Sequence, residues 1–288
     1  MKARLLEDYL EILENSPLVA GIDLGSLTTK ALIMGWNGSH KIICYHIIRS
    51  GSIYRTAANK VMDESLKMAG LRMEDLRCII STGYGRASAS YSNGEVTEIT
   101  CHALGARKLF PDAHTVIDIG GQDSKVICLN TMGQIGSFVM NDKCAAGTGR
   151  FIEVMCAALE TKLEEIGELS LKAQEEIEVS SVCTVFAESE VISLLARGCH
   201  KADIAAGIHA AIARRITNMV EKNRFKERVV MTGGVAKNIG VVRALEKKLG
   251  TSLLIPEEPQ IVGALGAALV AAERVKQAEN GKSRRRDP

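Results

Sequence analysis

Residues 22–30 read Ile-Asp-Leu-Gly-Ser-Leu-Thr-Thr-Lys, and residues 117–125 read Ile-Asp-Ile-Gly-Gly-Gln-Asp-Ser-Lys. Ile, Asp, Gly and Lys stand at the same offsets in both. Apolar runs flank each segment: Leu18-Val19-Ala20 and Thr115-Val116 before, Ala31-Leu32-Ile33-Met34 and Val126-Ile127-Cys128-Leu129 after. Each unit therefore reads as strand, tight polar turn, strand. Two such hairpins, roughly a hundred residues apart, predict two similar domains facing each other.

Outward from the repeat, apolar spacing predicts helices over 54–69, 97–109, 148–159, 185–196 and 203–222. A strand at 228–231 runs into Thr232-Gly233-Gly234, followed by a helix over 236–249. A short strand at 252–255 and a Gly/Ala-rich helix at 262–272 come last. Strands alternating with helices are the signature of an α/β fold. Residues 1–16 read as an acidic amphipathic helix stopped before Pro17.

Of the 288 residues, 46% are hydrophobic and 24% charged, the balance of a globular protein with a sizeable core. The net charge of +2 gives no bulk attraction to nucleic acid or to a membrane. The basic run Arg284-Arg285-Arg286 reads as a solvated tail. The apolar stretch 261–272 is far shorter than the roughly 20 residues a membrane span needs. No secretion signal is visible, so a cytoplasmic location is expected. There the eight cysteines are better read as thiols or metal ligands than as disulfides.

An Asp at a strand end beside glycines can hold Mg²⁺, usually through water. The glycines let the backbone approach phosphate oxygens, and exposed N–H groups bind their charge. This reading selects Asp23, Gly25 and Ser26 in the first turn, and Asp118, Gly120 and Gly121 in the second. Thr28, Thr29 and Ser124 add hydroxyls, and Lys30 adds a cation. A third Gly-rich junction, Val229 to Asn238, offers Gly233 and Gly234 as a bed for a nucleoside, with Asn238 at its end. No G-x-x-x-x-G-K-[ST] is present, which excludes a P-loop protein.

In these three segments, in this order, the chain resembles the actin, Hsp70 and sugar-kinase superfamily. The resemblance implies two ribonuclease-H-like domains with ATP and Mg²⁺ in a cleft between them. It implies domain opening and closing as the nucleotide changes. A kinase of that superfamily would need a general base and a pocket for its substrate, and the sequence identifies neither. An ATP-dependent sensor would need no special cysteines.

Two cysteines stand apart. Cys144 lies in Asn-Asp-Lys-Cys-Ala-Ala-Gly-Thr-Gly-Arg-Phe (141–151), and Cys183 in Ser-Ser-Val-Cys-Thr-Val-Phe-Ala-Glu-Ser-Glu (180–190). Both precede a predicted helix, whose N-terminus favours a thiolate. Small neighbours leave room for a bulky inorganic group. Two thiolates per chain cannot complete a four-thiolate site, but two chains related by a twofold axis can. Cys44, Cys78 and Cys128 sit in strand-like apolar runs and read as core. Cys101-His102 and Cys199-His200 are adjacent pairs whose side chains do not face each other on a helix.

The two cysteine segments resemble the signatures of the 2-hydroxyacyl-CoA dehydratase activators. That family (the BadF/BadG/BcrA/BcrD type) also includes ATPase subunits of benzoyl-CoA reductases and reductases of double-cubane-cluster proteins. Ser81-Thr82-Gly83-Tyr84-Gly85-Arg86, the second phosphate turn and the stretch 230–238 match as well, so the likeness runs from about residue 18 to residue 275. It implies a homodimer with one 4Fe–4S cluster held by Cys144 and Cys183 of each chain. It further implies electrons supplied by a ferredoxin or flavodoxin and passed, at the expense of ATP, to an iron–sulfur acceptor enzyme. Asp23 and Asp118 would place the metal of MgATP, and Gln122 would orient the attacking water. The expected division is a helical extension over 1–17, one ATPase domain over 18–112 with 256–276, a second over 113–255 carrying the cluster ligands, and a disordered tail over 277–288. No long hydrophobic seam for the dimer is visible in the sequence.

Overall fold

The computed structural model describes residues 16–36, 40–175, 177–180, 183–222 and 227–283, without the side chains of 281–283. The helix expected at 1–16 falls outside them except for its last residue, as do the arginines at 284–286. Contacts divide the chain into two units. One holds the described residues up to Lys108 with those from Gln260 on, and the other runs from Leu109 to Pro259.

In the first unit, β1 (Leu18–Leu24) turns back into β2 (Thr28–Trp36), which pairs antiparallel with β3 (His40–Arg49). Strand β4 (Leu76–Thr82) joins the other side of β1 in parallel, giving the order β3-β2-β1-β4. Every residue of β1 is buried, because helices cover both faces of the sheet. Ala20, Ile22, Ala31 and Ile33 pack towards α1 (Tyr54–Ala69). Val19, Leu32, Met34 and Ile80 pack with α2 (Glu98–Leu109) and α8 (Val262–Ser283). The last helix lies so close to its neighbours that side chains are excluded. A Cβ on Gly21 would stand 2.0 Å from the Ala264 carbonyl oxygen, and one on Gly266 would stand 1.9 Å from that of Cys101.

In the second unit the strands are β5 (Thr115–Ile119), β6 (Ser124–Leu129), β7 (Ile135–Asn141), β8 (Val229–Thr232) and β9 (Leu253–Leu254), in the order β7-β6-β5-β8-β9. Helices α3 (Gly149–Ala158), α4 (Ile166–Ser170), α5 (Thr184–Ala196), α6 (Lys201–Lys222) and α7 (Ile239–Leu249) surround a core that includes Ile117, Ile119, Phe151, Ile208, Ile216 and Leu245. Counted within each unit, both sheets run third, second, first, fourth, and the first strand pairs parallel with the fourth. The sequence repeat is thus a structural repeat.

Strands β3 and β4 give bounds to the strand-like apolar runs around Cys44 and Cys78, while β7 and the short α4 lie outside the predicted elements. Strand β7 is a sheet edge with no buried residue, so neither alternation nor a pure apolar run marks it. The helix expected over 236–249 begins as a 3₁₀ turn at Gly234–Lys237 and becomes α-helical only at Ile239, because Asn238 caps it by accepting the Val241 N–H. Residues 277–283, expected in a disordered tail, instead continue α8. Strong helix formers such as Glu273, Lys276 and Gln277 carry it on, and the Lys276 ammonium lies 5.8 Å from the centre of the Trp36 ring.

Candidate functional site

The repeated turns are built alike. The Gly25 N–H donates to the Thr28 carbonyl at 3.1 Å, and the Gly120 N–H donates to the Asp123 carbonyl at 2.9 Å. Closing the turn places Asp23 directly opposite Lys30 on β1 and β2, and Asp118 opposite Lys125 on β5 and β6. Opposed residues of an antiparallel pair share a sheet face. Each lysine therefore donates to its aspartate, Lys30 to Asp23 Oδ2 and Lys125 to Asp118 Oδ2, both at 3.1 Å. This geometry explains why the lysine repeats along with the aspartate. The second pair is the more deeply buried, and Lys125 has a further carboxylate, Asp123, at 2.9 Å.

The parallel neighbour completes each turn. Thr82 stands beside Asp23 in register, and Thr232 beside Asp118. Each threonine is followed by a glycine at positive φ, Gly83 at 89° and Gly233 at 86°, a conformation that favours glycine. A Cβ on Gly83 would lie 2.5 Å from Asp23 Oδ1, and one on Gly233 would lie 2.8 Å from Asp118 Oδ1. The Thr232 hydroxyl donates to Asp118 Oδ1 at 2.8 Å. Ser81-Thr82-Gly83 thereby acquires a role that the string alone does not carry. Its signal was the Thr-Gly pair it shares with Thr232-Gly233. Lys125 and Asp123 were legible in the repeat but not assigned. In the first unit, His102 Nε2 and Asp23 Oδ2 both border Gly263, 3.1 and 3.0 Å from where its Cβ would stand. His102 thus lies beside the first turn.

The remaining candidates divide into lining and support. Gly25, Ser26, Thr28, Gly120 and Gly121 are partly accessible and Gln122 is exposed, so they can meet a ligand. Thr29 is buried, and its hydroxyl pairs with that of Ser50 at 2.9 Å, while the Ser50 hydroxyl donates to the Gly25 carbonyl at 2.6 Å. Thr29 braces the first turn from beneath. Ser124 is likewise buried, its hydroxyl directed at Met219 Sδ, so it lines no phosphate. Gly234 is exposed, but Asn238 is committed to its cap and, through Nδ2, to His209 Nε2 at 3.3 Å.

Both candidate metal ligands belong to the second unit. Cys183 is exposed and forms the N-cap of α5. Cys144 is half-buried and stands further from a helix than expected: α3 begins at Gly149 after the N-cap Thr148. The Cys144 and Ala146 carbonyls accept from Asn141 Nδ2 at 2.8 and 3.3 Å, and the Ala145 carbonyl accepts from the Thr148 hydroxyl at 2.5 Å. The Cys144 loop is thus a rigid turn of small residues. Elsewhere burial suppresses the thiolate, pushing Cys44 up to about 11, Cys101 to about 12 and Cys156 to about 11. Such thiols are inert at neutral pH. Among the described residues, no three His, Cys, Asp or Glu side chains converge as a metal site.

Two sheets of one topology, each with an aspartate turn backed by a Thr-Gly turn, make up a sugar-kinase-like fold. A ROK family glucokinase from Streptomyces griseus, in complex with glucose and AMPPNP, shares this fold: TM-score 0.57 at 12% identity, covering 89% of this chain and 99% of that one. The chain belongs to the BadF/BadG/BcrA/BcrD ATPase family, whose model matches residues 20–271. It is 45% identical over 257 residues to the activator of lactoyl-CoA dehydratase from Anaerotignum propionicum, which spans 89% of this chain and 98% of the relative. The activator of the 2-hydroxyisocaproyl-CoA dehydratase from Clostridium difficile, solved with bound ADPNP, superposes with a TM-score of 0.86. It is 41% identical and covers 92% of this chain and 97% of its own. No helix among the described residues is long and apolar enough to cross a membrane.

Proposed function

We propose that the protein is an ATP-hydrolysing activator that delivers electrons to a 2-hydroxyacyl-CoA dehydratase. In this reading Asp23 and Asp118 hold Mg²⁺ through its water ligands, and Gly25, Ser26, Thr28, Gly120 and Gly121 receive the phosphates. Lys30 supplies charge, Gly233 and Gly234 support the nucleoside, and Gln122, exposed on its turn, orients the attacking water. Cys144 and Cys183 of two copies hold one 4Fe–4S cluster, which when bound supplies low-potential one-electron transfer. A ferredoxin or flavodoxin reloads it.

The observation that carries the coupling of ATP to the cysteines lies inside the second unit. The first two residues of α3 are hydrogen-bonded to the second phosphate turn: Gly149 N–H to the Gly120 carbonyl at 2.9 Å, and Arg150 N–H to the Gly121 carbonyl at 2.8 Å. Thr148, next to them, grips the Ala145 carbonyl. A shift of the turn on hydrolysis is thereby passed through one short backbone path to the Cys144 loop. The exposed face of α5 supports pairing of two copies. Val185, Phe186 and Ile192 are 66%, 68% and 54% exposed on the helix that Cys183 caps. This face would serve as the seam; the sequence does not mark it because apolar and polar residues are mixed around α5 and only packing tells which side stays open.

The test is anaerobic purification with iron and sulfide analysis, followed by ATP-dependent activation of a 2-hydroxyacyl-CoA dehydratase. About four irons per two chains are expected, in brown protein that hydrolyses ATP. Colourless protein carrying stoichiometric zinc would defeat the redox reading, and four irons per chain would defeat the shared site.

A further inference from the structure

Two consecutive arginines of α6 each hold one cysteine segment. Arg215 Nη2 donates to Asn141 Oδ1 at 3.2 Å, and the Nδ2 of that same amide donates to the carbonyls of Cys144 and Ala146. The Arg215 stem also lies against Gly147: a Cβ there would come within 2.8 Å of Arg215 Cδ, and Gly147 has a φ of 84°. Arg214 Nη2 donates to the Val179 carbonyl at 2.7 Å, and its Nη1 pairs with Glu178 at 3.1 Å. Val179 is buried and lies four residues before Cys183. Ser180, the next residue, gives both its N–H and its hydroxyl to Glu190 of α5, at 3.0 and 2.9 Å.

The orientation of Asn141 follows from its partners. An arginine offers only donors and a carbonyl only accepts. Asn141 must therefore present Oδ1 to Arg215 and Nδ2 to the loop. Flipping the amide would break all three bonds. The guanidinium thus decides which way the amide faces, and the amide decides where the Cys144 backbone sits. Arg215 Nε is buried with no hydrogen-bond partner among the described residues.

We propose that Arg215, acting through Asn141, is a positioning residue for Cys144, and that with Arg214 it makes α6 the frame that sets the two cysteine segments relative to each other. This rests on reading Cys144 and Cys183 as cluster ligands, but the frame itself is a property of the protein without metal. Its partner would be a metal group shared with a second copy, gripped from a pre-arranged pair of thiols.

The experiment reads the frame in metal-free protein. Iodoacetamide labelling under anaerobic conditions, followed by peptide mass spectrometry, gives the alkylation rate of each cysteine separately. Arg215→Gln and Asn141→Leu should each speed alkylation of Cys144 by at least about tenfold, the change expected when a hydrogen bond worth roughly 1.4 kcal/mol stops protecting the closed loop. Cys183 should keep its native rate in both. The double variant should react no faster than Asn141→Leu alone, since the two residues act through one path. Asn141→Leu leaves α6 untouched, so it still reports if Arg215→Gln unfolds. Cys144 rates within twofold of native in the folded variants would overturn the proposal, as would effects of the two substitutions that multiply in the double variant. In the iron-loaded dimer, both substitutions should speed loss of iron to a ferrous chelator. Native protein that takes up no iron would refute the cluster reading while leaving the labelling result to decide the frame.

Discussion

His209 should make the second unit acid-sensitive. The imidazole is buried where α6 meets α4 and α7, and burial pushes it down from the usual 6.5 to about 4. Its hydrogen bonds fix its proton. Asn238 Oδ1 accepts the Val241 N–H at 3.1 Å, so Nδ2 is the end that faces His209 Nε2 at 3.3 Å. Nε2 must then be an acceptor, and the proton sits on Nδ1, which meets the Ser170 hydroxyl at 2.9 Å. Ser170 in turn donates to the Gly167 carbonyl at 2.7 Å. Protonating Nε2 would set donor against donor, and the amide cannot turn over without uncapping α7. The unfolded chain takes up the proton below about pH 6.5 and the folded one only below about 4. Stability is therefore complete above the upper value and falls as pH drops through the window between them. The gap between 6.5 and about 4 corresponds to a loss of about 3 kcal/mol by the lower end. Urea unfolding at steps from pH 7 to pH 4.5, native against His209→Gln, isolates this contribution because other titrating groups are common to both. The variant should be less stable at pH 7 by about 1–3 kcal/mol through its disturbed hydrogen bonds, yet lose less on acidification. Parallel curves, or an imidazole NMR titration of His209 near pH 6.5, would refute the argument.

Asp118→Ala leaves the Lys125 ammonium, only 2% exposed, with Asp123 in place of two carboxylates. Unfolding by urea should show a loss of about 2–3 kcal/mol, short of the full cost of a broken buried pair. ATP hydrolysis should fall at least about a hundredfold while iron content is kept, and normal turnover would show that the second turn is not the phosphate site. Gly21→Ala drives a methyl to 2.0 Å from the Ala264 carbonyl oxygen. Parting β1 from α8 should cost about 3 kcal/mol or more, a fall in melting temperature on the order of 10 °C; a shift under 2 °C would mean that the helix slides aside freely.

The division between sequence and structure follows from range. The nine-residue repeat, the Asp and Gly of each turn and the alternation of strand with helix are local, and they were legible at once. So were Cys144 and Cys183, since their segments are distinctive as strings. The helix 54–69 could be bounded to the residue because a full amphipathic pattern ends at Gly70, which caps it in a left-handed conformation.

What the tertiary structure alone decided depends on residues far apart in the chain. Strand β7 exists because a neighbour supplies its hydrogen bonds, and a half-exposed edge carries no periodic signature of its own. That Asp23 meets Thr82 and Gly83, and Asp118 meets Thr232 and Gly233, is a matter of parallel register. Pairing across a crossover leaves no mark in the intervening residues. That Ser124 and Thr29 turn inward, while Ser26 and Thr28 stay accessible, follows from which face of the sheet the helices cover. In sequence Asn141 belongs to the Cys144 segment and Arg214 and Arg215 to a helix far along the chain, and only the docking of α6 beside two separate loops makes them brackets. The sequence determined the chemistry available to this protein, and its folding determined which of those groups stand within reach of one another, because hydrogen bonds and ion pairs act over a few ångströms while the residues that form them lie up to 232 positions apart.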